Sequence, residues 1–162
     1  MPPEIRRATQ SDHGAICRLA EEINLQHHAH SPHVFAAPPG IHRDADFWRA
    51  VIDDADGILL LAVLDHRVVG LLRAMMLSPP EVPFLRGREV CHIGTVLVTA
   101  SMQGQGIGKR LLDEIELWAK AMSAEEIRLE VFDANGAAIG FYDAMGFGMQ
   151  SHIMTKPLLS ST

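Results

Sequence analysis

A predicted strand that runs into three closely spaced glycines, and then into a predicted amphipathic helix, constrains the fold of this chain more than any other feature. The segment reads VLVTASMQGQGIGK over residues 96–109, with glycines at positions 104, 106 and 108. Glycine lets the backbone turn tightly and leaves N–H groups unobstructed by side chains. The N-terminus of the following helix adds a partial positive charge, so the segment is typical of a phosphate-binding turn.

Two common phosphate-binding motifs do not fit this turn. The GxxxxGK(S/T) loop requires a glycine five residues before Gly108, where this chain has Gln103, and its lysine is followed here by Arg110 instead of a hydroxyl residue. The dinucleotide motif GxGxxG fails because Lys109 occupies the position of its third glycine. A turn without a ligand is the remaining alternative, although three glycines are a high conformational cost for that purpose alone.

The composition is that of a soluble globular chain. Its 162 residues correspond to about one domain at ~150 residues each. A composition of 48% hydrophobic and 21% charged residues excludes a disordered or fibrous protein. The longest apolar runs fall well short of the ~20 residues of a membrane helix, and the N-terminus has no apolar export signal. We therefore expect a single domain over residues 1–162, located in the cytoplasm and without a membrane partner.

The charge distribution indicates which partners to expect, and the cysteines indicate whether to expect a metal. The net charge is −6 and no Lys/Arg cluster exceeds two adjacent residues, which argues against a nucleic-acid partner. The mild acidity suits an amine substrate but is also common in cytosolic proteins. Cys17 and Cys91 form neither a CxxC pair nor a zinc spacing and are predicted to be reduced core thiols. We expect no metal.

The hydrophobic periodicity predicts an α+β domain with a mixed sheet. Helices are predicted from about residue 12 and over residues 44–52 and 135–145, and residues 104–122 are predicted to be a glycine turn that opens a long amphipathic helix. Strands are predicted over residues 5–8, 57–64, 68–77, 90–98, 127–132 and 146–154, the second and third forming an antiparallel hairpin. Proline and glycine indicate loops over residues 26–43 and 78–88. Gly94, inside the fourth strand, predicts a β-bulge or a close backbone approach.

Two motifs together resemble the GNAT N-acetyltransferase superfamily. Residues 103–108, QGQGIG, match the acyl-CoA pyrophosphate loop (Arg/Gln)-x-x-Gly-x-(Gly/Ala) at every specified position. About thirty residues later the chain has the second landmark of that family: Asn135, Ala138, Phe141-Tyr142 and Gly146-Phe147. The two motifs and the strand between them cover roughly residues 88–150. The resemblance implies a mostly antiparallel sheet flanked by helices and splayed between the fourth and fifth strands.

The resemblance also implies acetyl-CoA as co-substrate. The backbone of Val96, Leu97 and Val98 would pair with the pantetheine arm like an added strand, and an N–H group near Val98 would polarise the thioester carbonyl. Asn135 would contact the cofactor arm, serve as a helix N-cap, or do both. Lys109 would contact CoA phosphates or belong to a solvated helix face. The pyrophosphate would be bound by N–H groups of Gln103, Gly104, Gln105, Gly106, Ile107 and Gly108.

The catalytic residues are partly assigned by the resemblance. Tyr142, the only tyrosine, would protonate the leaving CoA sulfur, whose pKa is ~8.5 if it behaves like cysteine; the alternative is a core aromatic residue. The general base stays open, because the chain has Gly94 and Thr95 where several relatives carry an acid. His92, on the same side of the strand as Gly94 by alternation, and Glu89 are the candidates, directly or through water.

The acceptor pocket of the family varies, and in this chain it corresponds to the His-rich region after the first helix. His30 and Phe35 are predicted substrate contacts, while Phe47 and Trp48 belong to the pocket wall or to the core. No cysteine falls within either motif, so we expect direct transfer of an acetyl group to a primary amine of a small molecule or peptide in a ternary complex. An acyl-CoA-binding regulatory module and transfer of a longer acyl group are the alternatives, and homodimers are common in the family.

Overall fold

The computed structural model describes residues 1–37, 40 and 43–159, and over these residues it contains five strands and four α-helices. The strands are β1 (Glu4–Arg7), β2 (Gly57–Leu64), β3 (Arg67–Leu77), β4 (Val90–Val98) and β5 (Glu126–Leu129). The helices are α1 (His13–His30), α2 (Ala45–Ile52), α3 (Ile107–Ala121) and α4 (Gly136–Ala144). The predicted α+β class is confirmed.

Two compact units make up the chain. Unit 1 is Met1–Glu130 and contains the sheet with α1, α2 and α3. Unit 2 is Val131–Thr162 and contains α4. That the whole chain is a single domain stays a prediction. None of the described helices combines the length and the apolar character needed to cross a membrane.

The sheet of unit 1 has the order β1-β2-β3-β4-β5. The first four strands pair antiparallel and β4 pairs parallel with β5, so the predicted mixed, mostly antiparallel sheet is confirmed. The β2–β3 hairpin turns at Asp65 and His66, whose φ values of 48° and 62° are those of a two-residue type I′ turn. The parallel connection from β4 to β5 runs through α3.

Each face of the sheet is covered by helices. On one face a buried cluster joins α1 and α2 to Leu59, Leu61, Leu71 and Leu97. The opposite face meets α3, because a Cβ placed on Gly70 would lie 3.2 Å from Ile107 and 3.4 Å from Leu111. Glycine at position 70 thus allows the first turn of α3 to pack closely on the sheet. The buried residues of α3 are Ile107, Leu111, Leu112, Ile115 and Ala119.

The predicted irregularity at Gly94 is a β-bulge. Arg73 pairs with Thr95, and the next residue of β3, Ala74, pairs with Ile93, so Gly94 is the extra residue of β4. The pairing of β5 with β4 also stops at Ile93. Residues 95–98 therefore pair with β3 on one side only, within the described part of the chain, which is the expected splay between the fourth and fifth strands.

Three predicted elements differ from the structure. Helix α1 continues to His30 instead of ending before residue 26, because histidines interrupt apolar periodicity without breaking a helix and the first proline comes only at Pro32. Strand β5 begins and ends earlier than predicted, at Glu126–Leu129. The predicted last strand is not formed, since no strand lies between residues 146 and 154.

Candidate active site

The glycine turn lies between the end of β4 and the start of α3. A single 3-10 turn, Ala100–Met102, leads to Gln103 in an extended conformation. Gly104 and Gly106 follow with φ values of 76° and 80°, a left-handed conformation that side chains rarely adopt. Gly106 is the N-cap of α3, and a Cβ at either glycine would meet no atom within 4 Å. The glycines thus provide the turn and leave open space around it.

Six consecutive backbone N–H groups in this turn, those of residues 104–109, donate no hydrogen bond to any of the described residues. The first intrahelical bond of α3 comes from Arg110, whose N–H group donates to the carbonyl of Gly106. Unpaired donors at the N-terminus of a 15-residue helix attract an anion, because the helix dipole adds to them. The arrangement fits a phosphate group in place of the missing partners.

Side chains of the turn hold its backbone. The Nε2 atom of Gln103 donates to the carbonyl of Val98 at 3.1 Å, and that of Gln105 donates to the carbonyl of Ser101 at 3.3 Å. Gln103, at the specified polar position of the motif, and Gln105, at an unspecified one, therefore both stabilise the local fold of the loop. Lys109 pairs with Asp113 one turn later in α3, at 2.6 Å between Nζ and Oδ2.

Glu22 of α1 anchors the start of the same turn, and sequence reasoning missed it. Its carboxylate accepts hydrogen bonds from the hydroxyl of Thr99, at 2.8 and 2.9 Å, and from the N–H group of Ala100 at 2.8 Å. The contact joins residues 77 and 78 positions apart in the chain, so no local pattern announces it. Glu22 fixes the end of β4 against α1.

Val96, Leu97 and Val98 form the open half of β4. They pair with Leu72, Leu71 and Gly70 of β3, and on the other side β5 has already ended. Unpaired strand edges accept an additional extended chain through backbone hydrogen bonds. This edge leads directly into the glycine turn, so an elongated ligand with a phosphate end could extend from one into the other.

Of the two candidate bases, His92 lies in β4 and Glu89 lies just before it. His92 is half-buried and pairs with Met75 of β3 and Arg128 of β5. Across the bulge, Thr95 pairs with Arg73, so His92, Thr95 and Arg73 share the face of the sheet that carries α1 and α2. Glu89 precedes the strand, is exposed, and lies ~30 Å from Val98 at about 3.3 Å per residue.

Unit 2 contains the second motif, and hydrogen bonds at the two ends of α4 explain why Asn135 and Gly146 stand where they do. The side-chain oxygen of Asn135 accepts from the N–H group of Ala138 at 3.1 Å, so Asn135 is the N-cap of α4. At the other end Gly146 has φ 90°, and the N–H group of Phe147 donates to the carbonyl of Tyr142 at 3.0 Å. This pattern is a Schellman motif, whose left-handed residue is most often glycine, as at position 146.

Tyr142 is surrounded by the aromatic residues of its own motif. Its ring centroid is 5.2 Å from that of Phe141 and 5.7 Å from that of Phe147. Burial raises the pKa of the Tyr142 phenol, because the charged phenolate loses solvation. The hydroxyl has no hydrogen-bond partner among the described residues, and at neutral pH it is a proton donor.

The His-rich region folds back on the end of α1. His27 stacks on Phe35 with ring centroids 4.6 Å apart, and the Nδ1 atom of His28 lies 2.8 Å from the carbonyl of Phe35. His30 ends α1, exposed, with its Nδ1 atom 2.8 Å from the carbonyl of Gln26. Burial, with a smaller effect of His30, lowers the pKa of His27. His42, from the same cluster, lies outside the described residues.

A known protein family and several solved structures match this chain over most of its length. The family model described as "Acetyltransferase (GNAT) family" matches residues 17–147. Among solved structures, a mutant of the BH1408 protein from Bacillus halodurans is 24% identical with a TM-score of 0.89, and the match covers 96% of this chain and 99% of that chain.

Two further solved structures have the same fold. A transcriptional regulator from Bacillus halodurans is 20% identical with a TM-score of 0.75, over 96% of this chain and 99% of that one. The aminoglycoside N-acetyltransferase AAC(6')-Iy in complex with CoA is 13% identical with a TM-score of 0.76, over 95% and 93%. Because the family model covers most of the sequence, this chain belongs to the GNAT acetyltransferase family.

Proposed function

We propose that this chain is an acetyl-CoA-dependent N-acetyltransferase that acts on a primary amine of a small molecule or peptide. The observation that carries the proposal is the run of six N–H groups, over residues 104–109, that donate to none of the described residues and come shortly after the open strand edge at Val96–Val98. Membership of the family and the CoA bound to AAC(6')-Iy support the same ligand.

Acetyl-CoA would bind along two adjacent features of unit 1. The N–H groups of the glycine turn would bind the pyrophosphate, and the free edge of β4 would pair with the amides of the pantetheine arm. Lys109 is close to the turn but already pairs with Asp113, so its contribution to phosphate binding is the smaller one. Asn135 is engaged as an N-cap through its oxygen, which leaves its amide N–H groups for the cofactor arm.

The proposed reaction is direct attack of a neutral amine on the thioester carbonyl. The N–C bond forms and the C–S bond breaks, one proton passes from the amine to a base, and the CoA thiolate takes the proton of the Tyr142 phenol. An N–H group near Val98 would stabilise the developing oxyanion. Because burial raises its pKa, Tyr142 keeps its proton at neutral pH and recovers it from solvent after each turnover.

His92 is the better of the two candidate bases. It lies on the same face as Thr95 beside the bulge, whereas Glu89 is at the far end of β4. A ring nitrogen of its neutral imidazole can accept the proton of the attacking amine, directly or through a water molecule. His30 and Phe35 would contact the acceptor from the end of α1 and the segment behind it.

A regulatory acyl-CoA-binding module is the second candidate. It is favoured by the absence of an acid at Gly94 and Thr95 and by the fold likeness to a transcriptional regulator. Such a module would bind acetyl-CoA without turnover. Transfer of a longer acyl group would instead be distinguished by comparing acetyl-CoA with longer acyl-CoA donors.

Calorimetric titration of the purified protein with acetyl-CoA and with free CoA tests the proposal first. We expect saturable binding of both, with similar affinity because the pyrophosphate and pantetheine are shared. Release of the CoA thiol in the presence of a panel of amines then separates the enzyme from the regulatory module. No binding up to millimolar concentrations would refute both candidates.

A further inference from the structure

An arginine in the middle of the sheet pairs with no carboxylate in the part of the chain that the structure describes. Arg73 lies in β3 between buried Leu72 and Ala74 and is itself half-buried. No Asp or Glu of the described residues lies within ion-pair distance of it, whereas Arg6, the other half-buried arginine of the sheet, pairs with Asp12 at 2.8 Å. A partly buried charge without a counter-charge is unfavourable unless an anion from outside binds to it.

The guanidinium of Arg73 is held in place by an aromatic ring. Its central carbon lies 5.3 Å from the centroid of Phe47 in α2, and the Phe47 ring packs edge-on against Trp48 at 5.1 Å. This cation–π contact restrains the guanidinium, and its N–H groups donate to none of the described residues, so they can bind a planar acceptor with two oxygens. About half of the Phe47 side chain is exposed, so this place is open to a ligand.

The position of Arg73 on the sheet brings it to the proposed reaction centre. It pairs with Thr95 across the β3–β4 ladder, and a Cβ placed on Gly94 would lie 3.8 Å from its Nη1 atom. These two positions are the ones where the family resemblance implies an acid beside the reacting amine. In this chain the same place is next to a cation.

We propose that the acceptor of this enzyme is an amine that also carries a carboxylate, which Arg73 binds while Phe47 orients the guanidinium. This proposal rests on the acetyltransferase function proposed above. A lone cation beside the reacting ammonium group would repel it, and repulsion is strongest for polycations such as aminoglycosides and polyamines. A carboxylate a few bonds from the amine removes the repulsion and forms two parallel charge-assisted hydrogen bonds with arginine.

The test uses matched acceptors. CoA release from acetyl-CoA is measured with the common α-amino acids, with ω-amino acids of different length, with the carboxamide of each, and with spermidine and kanamycin as carboxylate-free polycations. We expect at least one carboxylate-bearing amine to be acetylated with a kcat/KM about 10- to 100-fold above that of its carboxamide, the range for a charge-assisted hydrogen-bonded pair.

Three variants test whether the preference for carboxylate-bearing acceptors comes from the Arg73 side chain. Arg73→Gln is expected to raise KM for the preferred acid about 10- to 100-fold and to leave KM for its carboxamide within about threefold. Arg73→Lys keeps the charge without the planar fork and should fall between. Arg67→Gln, at the exposed start of the same strand, makes the same charge change away from the bulge and should match the wild type.

Binding of acetyl-CoA separates this inference from the function on which it rests. If calorimetry shows no binding to the wild type, the acetyltransferase proposal itself fails. If wild type and Arg73→Gln both bind acetyl-CoA and only carboxylate-free amines are acetylated, or no amine of the panel is, the carboxylate acceptor is refuted. An unchanged acid-to-carboxamide ratio in Arg73→Gln would refute the role of Arg73.

Discussion

The glycine turn and the Asn135–Phe147 segment are both short motifs, but different forces hold them in place. The turn leads into α3, which has five buried residues, and Glu22 anchors it from α1 across 77 positions of sequence. Helix α4 has no buried residue among its nine and is bounded by a side-chain cap and a Schellman motif made within a few residues. The first motif depends on tertiary packing, and the second on local hydrogen bonds.

The largest effect is expected from the packing beneath the turn. Leu111→Ala removes a fully buried side chain of α3 and should lower the free energy of unfolding by ~2–5 kcal/mol, because it leaves a cavity as well as losing apolar burial. Urea denaturation measures the change. Leu117→Ala, at a 62% exposed position of the same helix, should change stability by less than ~0.5 kcal/mol. Equal costs for the two variants would contradict the assignment of α3 to the core.

Tyr142→Phe tests the chemistry of the second motif. We expect kcat to fall ~100-fold or more, since the leaving thiolate loses its acid, while acetyl-CoA affinity and unfolding stability stay close to those of the wild type. The wild-type rate should show no alkaline loss from this group below pH ~10, because the active form is protonated and burial raises its pKa. Unchanged turnover would remove Tyr142 as the acid.

Glu22→Gln tests the long-range anchor of the turn. The amide keeps one acceptor oxygen but loses the charge, so the bonds to Thr99 and Ala100 weaken and acetyl-CoA affinity should fall about 3- to 10-fold. Calorimetry gives the affinity, and Glu21→Gln is the control with the same charge change at the neighbouring residue of α1. If both variants bind equally well, the turn does not depend on this anchor.

The smallest effect is expected at the cap of α4. Asn135→Ala should destabilise the helix by ~1 kcal/mol, visible as faster amide exchange across residues 136–144 with little change in global unfolding. Asn135→Asp retains the accepting oxygen and should restore protection. A uniform loss of protection over both units would show that α4 is not locally stabilised.

The local features of this chain could be predicted from sequence. The β2–β3 hairpin, the bulge at Gly94 and the order of strand, glycine turn and helix each follow from periodicity or from the backbone needs of glycine over a few residues. Helix α1 extends beyond its predicted end because the apolar spacing stops before His27 while the backbone hydrogen bonds continue.

What the sequence could not supply is contact between distant residues. Glu22 and Thr99, or Arg73 and Phe47, meet only because the sheet register and the helix packing bring them together. The predicted strand over residues 146–154 reflects β-propensity alone, and propensity does not provide the neighbour that a strand requires.

The extra residue at position 94 reverses, for the rest of β4, which face of the sheet the odd-numbered and even-numbered residues occupy. Before it, Cys91 and Ile93 project toward the α3 layer, whereas beyond it Leu97 projects toward α1 and α2 while Val96 and Val98 take the α3 side. If Gly94 took a regular place in the alternation, Leu97 would lie on the α3 side, whereas deleting the glycine would leave each flanking side chain on its present face. The bulge thus keeps the buried Leu97 in the cluster of α1 and α2, and keeps Val96 and Val98 on the α3 side, although β4 has one residue more than the segment of β3 that it pairs with.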